Sequence, residues 1–305
     1  MTSITQKQNQ PDQLQMLAAQ RNLYSTAKRI IGLQMILGGP IAVAATLLGL
    51  VKPDVKGYVA LWGLTVLFFD LVIFIPWQKK LRESAARIQE LFDYTVLGLS
   101  WNEIKVGKKP DPELIHERAQ KYRKSGESVE PLKNWYPVSV ESVPHEWGAV
   151  ICQRANIFWD SKLRRRYATA VFAVALAVTV ILVWVAFHNN TSSFDLVAFV
   201  AVPMASAYVL VYRQITEHRE AADRLDKLKD HSDKLFTEAI GGASVTAIKA
   251  KSRFLQDEIF DGRKRNPPIF DFVFRILLPQ NELEMNRGAE ALIKEAKAVA
   301  GKASA

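Results

Sequence analysis

Cysteine is almost absent from this chain: Cys152 is the only one among 305 residues. No intrachain disulfide can form, and a lone thiol reads as packing rather than redox chemistry. A secretory leader is also missing, because residues 1 to 19 are polar and Gln-rich and lack an apolar core and a small-residue cleavage site. The first apolar stretch is therefore expected to stay in the mature chain. Catalytic signatures are lacking too: there is no phosphate loop ending in Gly-Lys-Ser/Thr, no G-x-S-x-G and no H-E-x-x-H. The histidines (His116, His145, His188, His218 and His231) are scattered without metal-ligand spacing. These gaps argue against an enzyme, a metal centre and a resident cofactor.

Charge is nearly absent from four stretches: Ile30 to Val51, Tyr58 to Trp77, Tyr167 to Phe187 and Phe194 to Tyr212. Each approaches the roughly 20 apolar residues that cross a bilayer. The predicted fold class is mainly α: a four-helix transmembrane bundle of two hairpins, with helical cytoplasmic stalks and a small mixed cytoplasmic domain. The boundaries are an N-terminal amphipathic arm (1–29), hairpin 1 (30–77), a stalk and middle segment (78–166), hairpin 2 (167–212) and a stalk with the C-terminal segment (213–305).

What the chain does have is positive charge, net +9, and its placement sets the orientation. The turn 52–56 holds two Lys or Arg and the turn 188–195 none, against seventeen in 78–166 and seventeen from Arg213 onward. The short turns are then outside, and both termini and the middle segment are cytoplasmic. Lys28, Arg29, Lys79, Lys80, Arg164, Arg165, Arg166 and Arg213 flank the spans on that face, as charges beside anionic headgroups. A DNA or RNA polymer is not needed to explain them. Tyr24, Trp77, Tyr167, Trp184 and Tyr212 fall near span ends as interfacial anchors.

Beyond the hairpins, apolar residues at helical spacing (Leu81, Ala85, Ile88, Phe92; Ala221, Leu225, Leu228, Leu235, Ala239) predict the two stalks. The Pro-containing stretch "EPLKNWYPVSVESVP" reads as extended or turn structure. "QRNLYSTAK" resembles "QRANIFWDSK", and "LFDYTVLGLSWNE" resembles "IFDFVFRILLPQNE". Each half would then run amphipathic helix, hairpin, stalk and FD motif; chance similarity in short motifs competes with this duplication.

One residue within the spans resists the membrane reading. Asp70 stands in "VLFFDLVIFIPW", about 10 Å inside the end of its span at 1.5 Å per residue, too deep for its short side chain to reach water. Two readings stay open: an interhelical hydrogen bond to Gln34, Thr46 or a second copy, or a place along a cation or proton route. Gly38, Gly39, Pro40 and Pro203 are candidate hinges. On the cytoplasmic side, Trp135, Tyr136, Arg154 and Trp159 combine aromatic faces with a guanidinium and can stack on bases and fork onto phosphate, or else serve as core and flanking charge.

Five segments form a set: "QRNLYSTAK", "FDYTVLGLSWNE", "LKNWYPVSVESVP", "ICQRANIFWDSKLRRRY" and "IFDFVFRILLPQNELEMN". In their order around two hairpins, from about Gln13 to Asn286, they resemble the bacterial SMODS-associated four-transmembrane effector family. The resemblance implies a pore-forming effector of the inner membrane, acting in antiphage abortive infection as a homo-oligomer. Its implied trigger is a cyclic oligonucleotide from a CD-NTase-type synthase. The competing readings are a membrane-anchored interaction protein without a pore, and an Asp70-dependent transporter.

Overall fold

A computed structural model describes residues 3–202 and 204–303, with side chains except those of 50, 53, 199, 206, 271–282, 302 and 303. The chain is mainly helical, and among the described residues there is no strand. Helix α1 (Ile4–Gln8) opens on a capping box in which the Ser3 side chain accepts from Gln6 and the Gln6 side chain accepts from Ser3. Helix α2 (Pro11–Gly38) begins on a proline, whose fixed φ suits the first turn. It stops at Gly39, and Pro40 starts α3 (Pro40–Val51). A Cβ on Gly39 would lie 2.5 Å from the Met35 carbonyl oxygen, so only glycine fits this break without a shift.

A 3-10 turn (Pro53–Val55) leads into α4 (Lys56–Phe69). A π turn at Asp70–Phe74 interrupts that helix before α5 (Ile75–Leu97). Gly98, at φ +66°, ends α5 in the left-handed conformation that glycine adopts at least cost. Asn102 caps the short α6 (Glu103–Val106). Helix α7 (Pro112–Lys124) carries Lys121, Arg123 and Lys124 in its last turn, where the helix dipole favours cations. Two 3-10 turns, Glu130–Leu132 and Val138–Ser142, occupy the Pro-containing stretch. Helix α8 (His145–His188) follows, about 66 Å long at 1.5 Å per residue. Then come α9 (Ser193–Leu196), a second π turn (Val197–Ala201), α10 (Ala205–Ile240), α11 (Val245–Arg265) and α12 (Asp271–Ala303).

The chain divides into two compact units. The apolar unit comprises Thr26–Lys80 and Arg165–Glu220. Its centre is small: Ala42, Leu182, Val200, Met204 and Ala207 pack together with Val43, Leu47, Val178 and Leu196 around them. Its surface is inverted relative to a soluble domain, with Phe68, Leu71, Val180, Trp184 and Phe187 each more than half exposed. An apolar surface of this kind calls for lipid or another apolar partner. Pro11–Gly49, Lys56–Leu97 and His145–His188 are long and apolar enough to cross a membrane by length and composition. The fourth predicted stretch, 194–212, is broken by the π turn, and Pro203 lies outside the described residues.

The polar unit comprises Met1–Ser25, Leu81–Arg164 and Ala221–Ala305. The stalk positions Leu81, Ala85, Ile88 and Phe92 are buried in it, as are Ala221, Leu225, Leu235 and Ala239. In place of the mixed segment expected between the hairpins, helices and 3-10 turns are found.

Candidate functional site

Asp70 begins the π turn, whose first closing bond runs from the Ile75 N–H to the Asp70 carbonyl. π turns inside α-helices occur often at functional sites. The Asp70 side chain is buried and accepts a hydrogen bond from the Gln34 amide on α2. Gln78 on α5 donates to Gln34 Oε1 at 3.2 Å. Arg213 on α10 places Nη1 3.4 Å from Asp70 Oδ2, and its Nε lies 3.8 Å from Glu217. Three helices thus bring two amides, a carboxylate and a guanidinium together inside the apolar unit. The guanidinium offsets the charge that would make a lone carboxylate so costly there.

Thr46, the other candidate partner, does not join this set. It is fully buried on α3, and among the described residues its hydroxyl has no hydrogen-bond partner. Gly38, Gly39 and Pro40 form the α2–α3 break, one turn beyond Gln34. Arg213 is not merely a flanking cation: its length lets the guanidinium reach Asp70.

The polar unit holds a second buried ionic cluster. Glu90 and Asp93, one turn apart on α5, are both fully buried. Arg253 on α11 donates to Glu90 at 2.7 Å and to Asp257 at 2.8 Å. Arg263 pairs with Asp93. Gln256 bridges the two carboxylates at 2.9 and 2.8 Å, and is itself held by Gln153 of α8 at 3.0 Å. Burial, then the neighbouring Asp93, pushes the Glu90 carboxyl up to about 7 against the opposing pull of Arg253. Burial lowers the pKa of Arg263 but the adjacent Asp93 more than reverses it, so its charge is secure.

The proposed ligand-sensing residues lie just before α8 and on its first turns, where Asn156 donates to the Tyr136 hydroxyl at 3.2 Å. Tyr136 is core: its hydroxyl donates to Asp93 at 2.5 Å, and its ring stacks on Phe92 with centroids 6.1 Å apart. Trp135 meets Phe92 edge-on. Arg154 forms an ion pair with Asp233; burial raises the Asp233 carboxyl, but Arg154 and Lys229 together more than reverse this and hold it low. Trp159 is half-buried on α8.

Of the basic flank, Lys79, Lys80, Arg29, Arg165 and Arg166 are exposed and Lys28 is half-buried. Arg164 departs from it: it is buried, donating to Asp160 and to the Pro267 carbonyl, each at 2.9 Å. Cys152 is fully buried, and burial raises its thiol well above the usual range, consistent with packing.

Two cavities open in the polar unit. One of about 600 Å3 is lined by the 3-10 turn at Val138–Ser142 and by Glu290, Ile293, Lys294 and Lys297 of α12. The other, about 320 Å3, lies between α10 and α11 and includes Arg224, Lys227, His231, Phe254 and Arg265. None of the four proposed sensing residues lines either one.

Sequence reasoning missed Glu90, Asp93, Arg253, Gln256 and Arg263. Their nearest signal was the FD motif containing Asp93. It also missed Gln78, a polar residue one position after the Trp77 anchor.

Residues 2–292 match the family described as SMODS-associating 4TM effector domain. A protein of Bacillus cereus (strain VD146), named as a probable CBASS effector molecule, is 25% identical over 295 residues, covering 91% of this chain and 90% of the relative. No solved structure matches the chain significantly.

Proposed function

The chain belongs to the SMODS-associating 4TM effector family, and from that premise we propose that it is a membrane effector of antiphage defence that breaches the inner membrane when a cyclic oligonucleotide signals infection. The apolar unit lies in the bilayer as two hairpins, with both termini and the polar unit in the cytoplasm. The polar unit receives the signal. Several copies then repack their hairpins around an aqueous path.

The observation that carries this reading is the ion pair of Asp70 with Arg213 inside the apolar unit. A tether needs only apolar helices, and a buried pair is seldom a gain in stability over apolar packing. Here the pair and Gln34 together form a latch across three helices, and its groups are suited to facing water once those helices part. Two of those helices also carry polar-unit residues: α5 holds both Gln78 and Asp93, and α10 holds both Arg213 and Arg224. A ligand that favours one arrangement of α10 therefore acts on an element of the latch. It shifts the population only by the difference between its affinities for the two arrangements.

The test is membrane potential in cells expressing the protein at low level, with and without a cyclic oligonucleotide synthase. Depolarisation that needs both proteins is the expected result. An unchanged potential, with the protein in the membrane and the nucleotide present, would leave a membrane-anchored interaction protein.

A further inference from the structure

Helix α11 buries some of its polar residues and leaves one aromatic outside. Arg253, Gln256 and Asp257 are buried, yet the neighbouring Phe254 is 59% exposed. That ring lines the cavity of about 320 Å3 between α10 and α11. Arg224 and Lys227 enter from α10 and Arg265 from the end of α11. Arg224 donates to Asn266 Oδ1 at 3.1 Å, which holds the guanidinium at this cavity. Two carboxylates, Glu258 and Asp261, also line it; Lys105 lies 3.6 Å from Glu258 and 2.7 Å from Asp261, and Arg265 itself pairs with Asp261 at 3.2 Å, which leaves Arg224 and Lys227 of α10 as the excess positive charge. Cations therefore prevail around an accessible aromatic face.

Such a pairing of chemistries recognises a nucleotide: the ring stacks on a base of any sequence, and guanidinium and ammonium groups hold phosphate. Size narrows the class further. About 320 Å3 is at the low end for small-molecule pockets, room for one nucleotide but not for a whole cyclic ring. The larger cavity has no aromatic in its lining, and its Lys294 and Lys297 are balanced by Glu141 and Glu290.

We infer that the α10–α11 cavity binds one nucleotide of a phosphodiester-linked ring, with its base on Phe254 and its phosphate among Arg224, Lys227 and Arg265. The inference rests on the proposed nucleotide trigger and adds where the trigger lands. The rest of the ring stays outside the cavity. Because α10 also carries Arg213, occupancy here bears on the helix that holds Asp70.

The test uses the full-length protein in detergent, titrated with cyclic di-AMP, cyclic GMP-AMP and cyclic tri-AMP, and with linear pApA for comparison. Phe254→Ala and Lys227→Glu alter exposed side chains and leave the helical circular dichroism intact; Lys297→Glu in the other cavity is the control. The expected result is that one or more cyclic compounds bind, that both cavity variants weaken binding at least about 10-fold, and that the control stays within about 2-fold. Cyclic-compound binding that both cavity variants leave unchanged overturns this site and leaves the proposed function standing. Failure of every cyclic compound to bind the unaltered protein overturns the site and the direct nucleotide trigger together.

Discussion

Asp70→Asn is the most informative single change in the apolar unit, because it keeps the size of the side chain and a hydrogen bond with Gln34 while removing the charge that faces Arg213. Two unit charges 3.4 Å apart attract by about 5 kcal/mol at an effective dielectric near 20. Two features reduce what is lost. Arg213 keeps 20% of its side chain exposed, and Glu217 lies 3.8 Å away as a second partner. The net loss should then be about 2 kcal/mol, below the roughly 3–5 kcal/mol for breaking a fully buried pair. For a latch of the closed arrangement, that loss lowers the closed-to-open ratio about 30-fold. Cells expressing Asp70→Asn should therefore lose membrane potential without any synthase, read with a voltage-sensitive dye at matched protein level. Arg213→Gln should do the same, and the double variant should be no leakier than either single, since both remove one interaction. A variant that holds its potential like the unaltered protein, or singles whose effects add in the double, would refute the latch.

The buried cluster of the polar unit predicts a pH dependence. Burial, then the neighbouring Asp93, pushes the Glu90 carboxyl from its ordinary value of 4.5 up to about 7 in the folded state. Its contribution to stability is therefore full below about pH 4.5, lost as pH rises through 7 and level above that, by at most about 3 kcal/mol. Thermal unfolding from pH 5 to 8 should show the unaltered protein losing stability relative to Glu90→Gln; parallel curves would contradict the assignment. Gly39→Ala should destabilise the protein by about 1–3 kcal/mol in detergent, because its Cβ meets backbone at the α2–α3 break. Arg164→Ala should lower thermal stability by about 1–3 kcal/mol through its lost bonds to Asp160 and the Pro267 carbonyl, while Arg165→Glu with Arg166→Glu should change stability less and instead impair insertion or its orientation, seen by labelling of engineered cysteines. Equal effects from the two changes would mean that the three arginines share one role.

The helical class and the apolar stretches were legible because long uncharged runs leave few alternatives. Asp70 was legible as a problem, since a carboxylate in such a run demands a partner, and Gln34 was among the candidates. Choosing between Gln34 and Thr46, however, requires knowing which way Asp70 faces, and the π turn at Asp70–Phe74 shifts the faces of α4 and α5 without a mark in the sequence. Arg213 was read by its position in a count of cations. Counting cannot see that a long side chain reaches back along the helix to a carboxylate on another. In α11 a few positions depart from the usual rule, with Phe254 outside and Arg253, Gln256 and Asp257 inside beside Leu255, Ile259 and Phe260. Hydropathy alone therefore concealed both the ionic cluster and the aromatic wall of the cavity. The sequence does not announce that Trp135 and Tyr136 pack against Phe92, 43 or more residues earlier in the chain.

The misread positions share a physical cause. Each unit buries opposite charges together, Asp70 with Arg213 in one and Glu90 and Asp93 with Arg253 and Arg263 in the other. Apolar residues of similar volume would generally hold such helices together as well or better. Ionic pairing adds directionality: a guanidinium bonded to a carboxylate has few acceptable geometries, and a helix that slides or turns must exchange one complete set of partners for another. That favours discrete arrangements over continuous deformation, which is what a signal-driven change requires. The Asp70 and Arg213 variants test this directly, because a pair that merely packed the apolar unit would change its stability without changing what opens it.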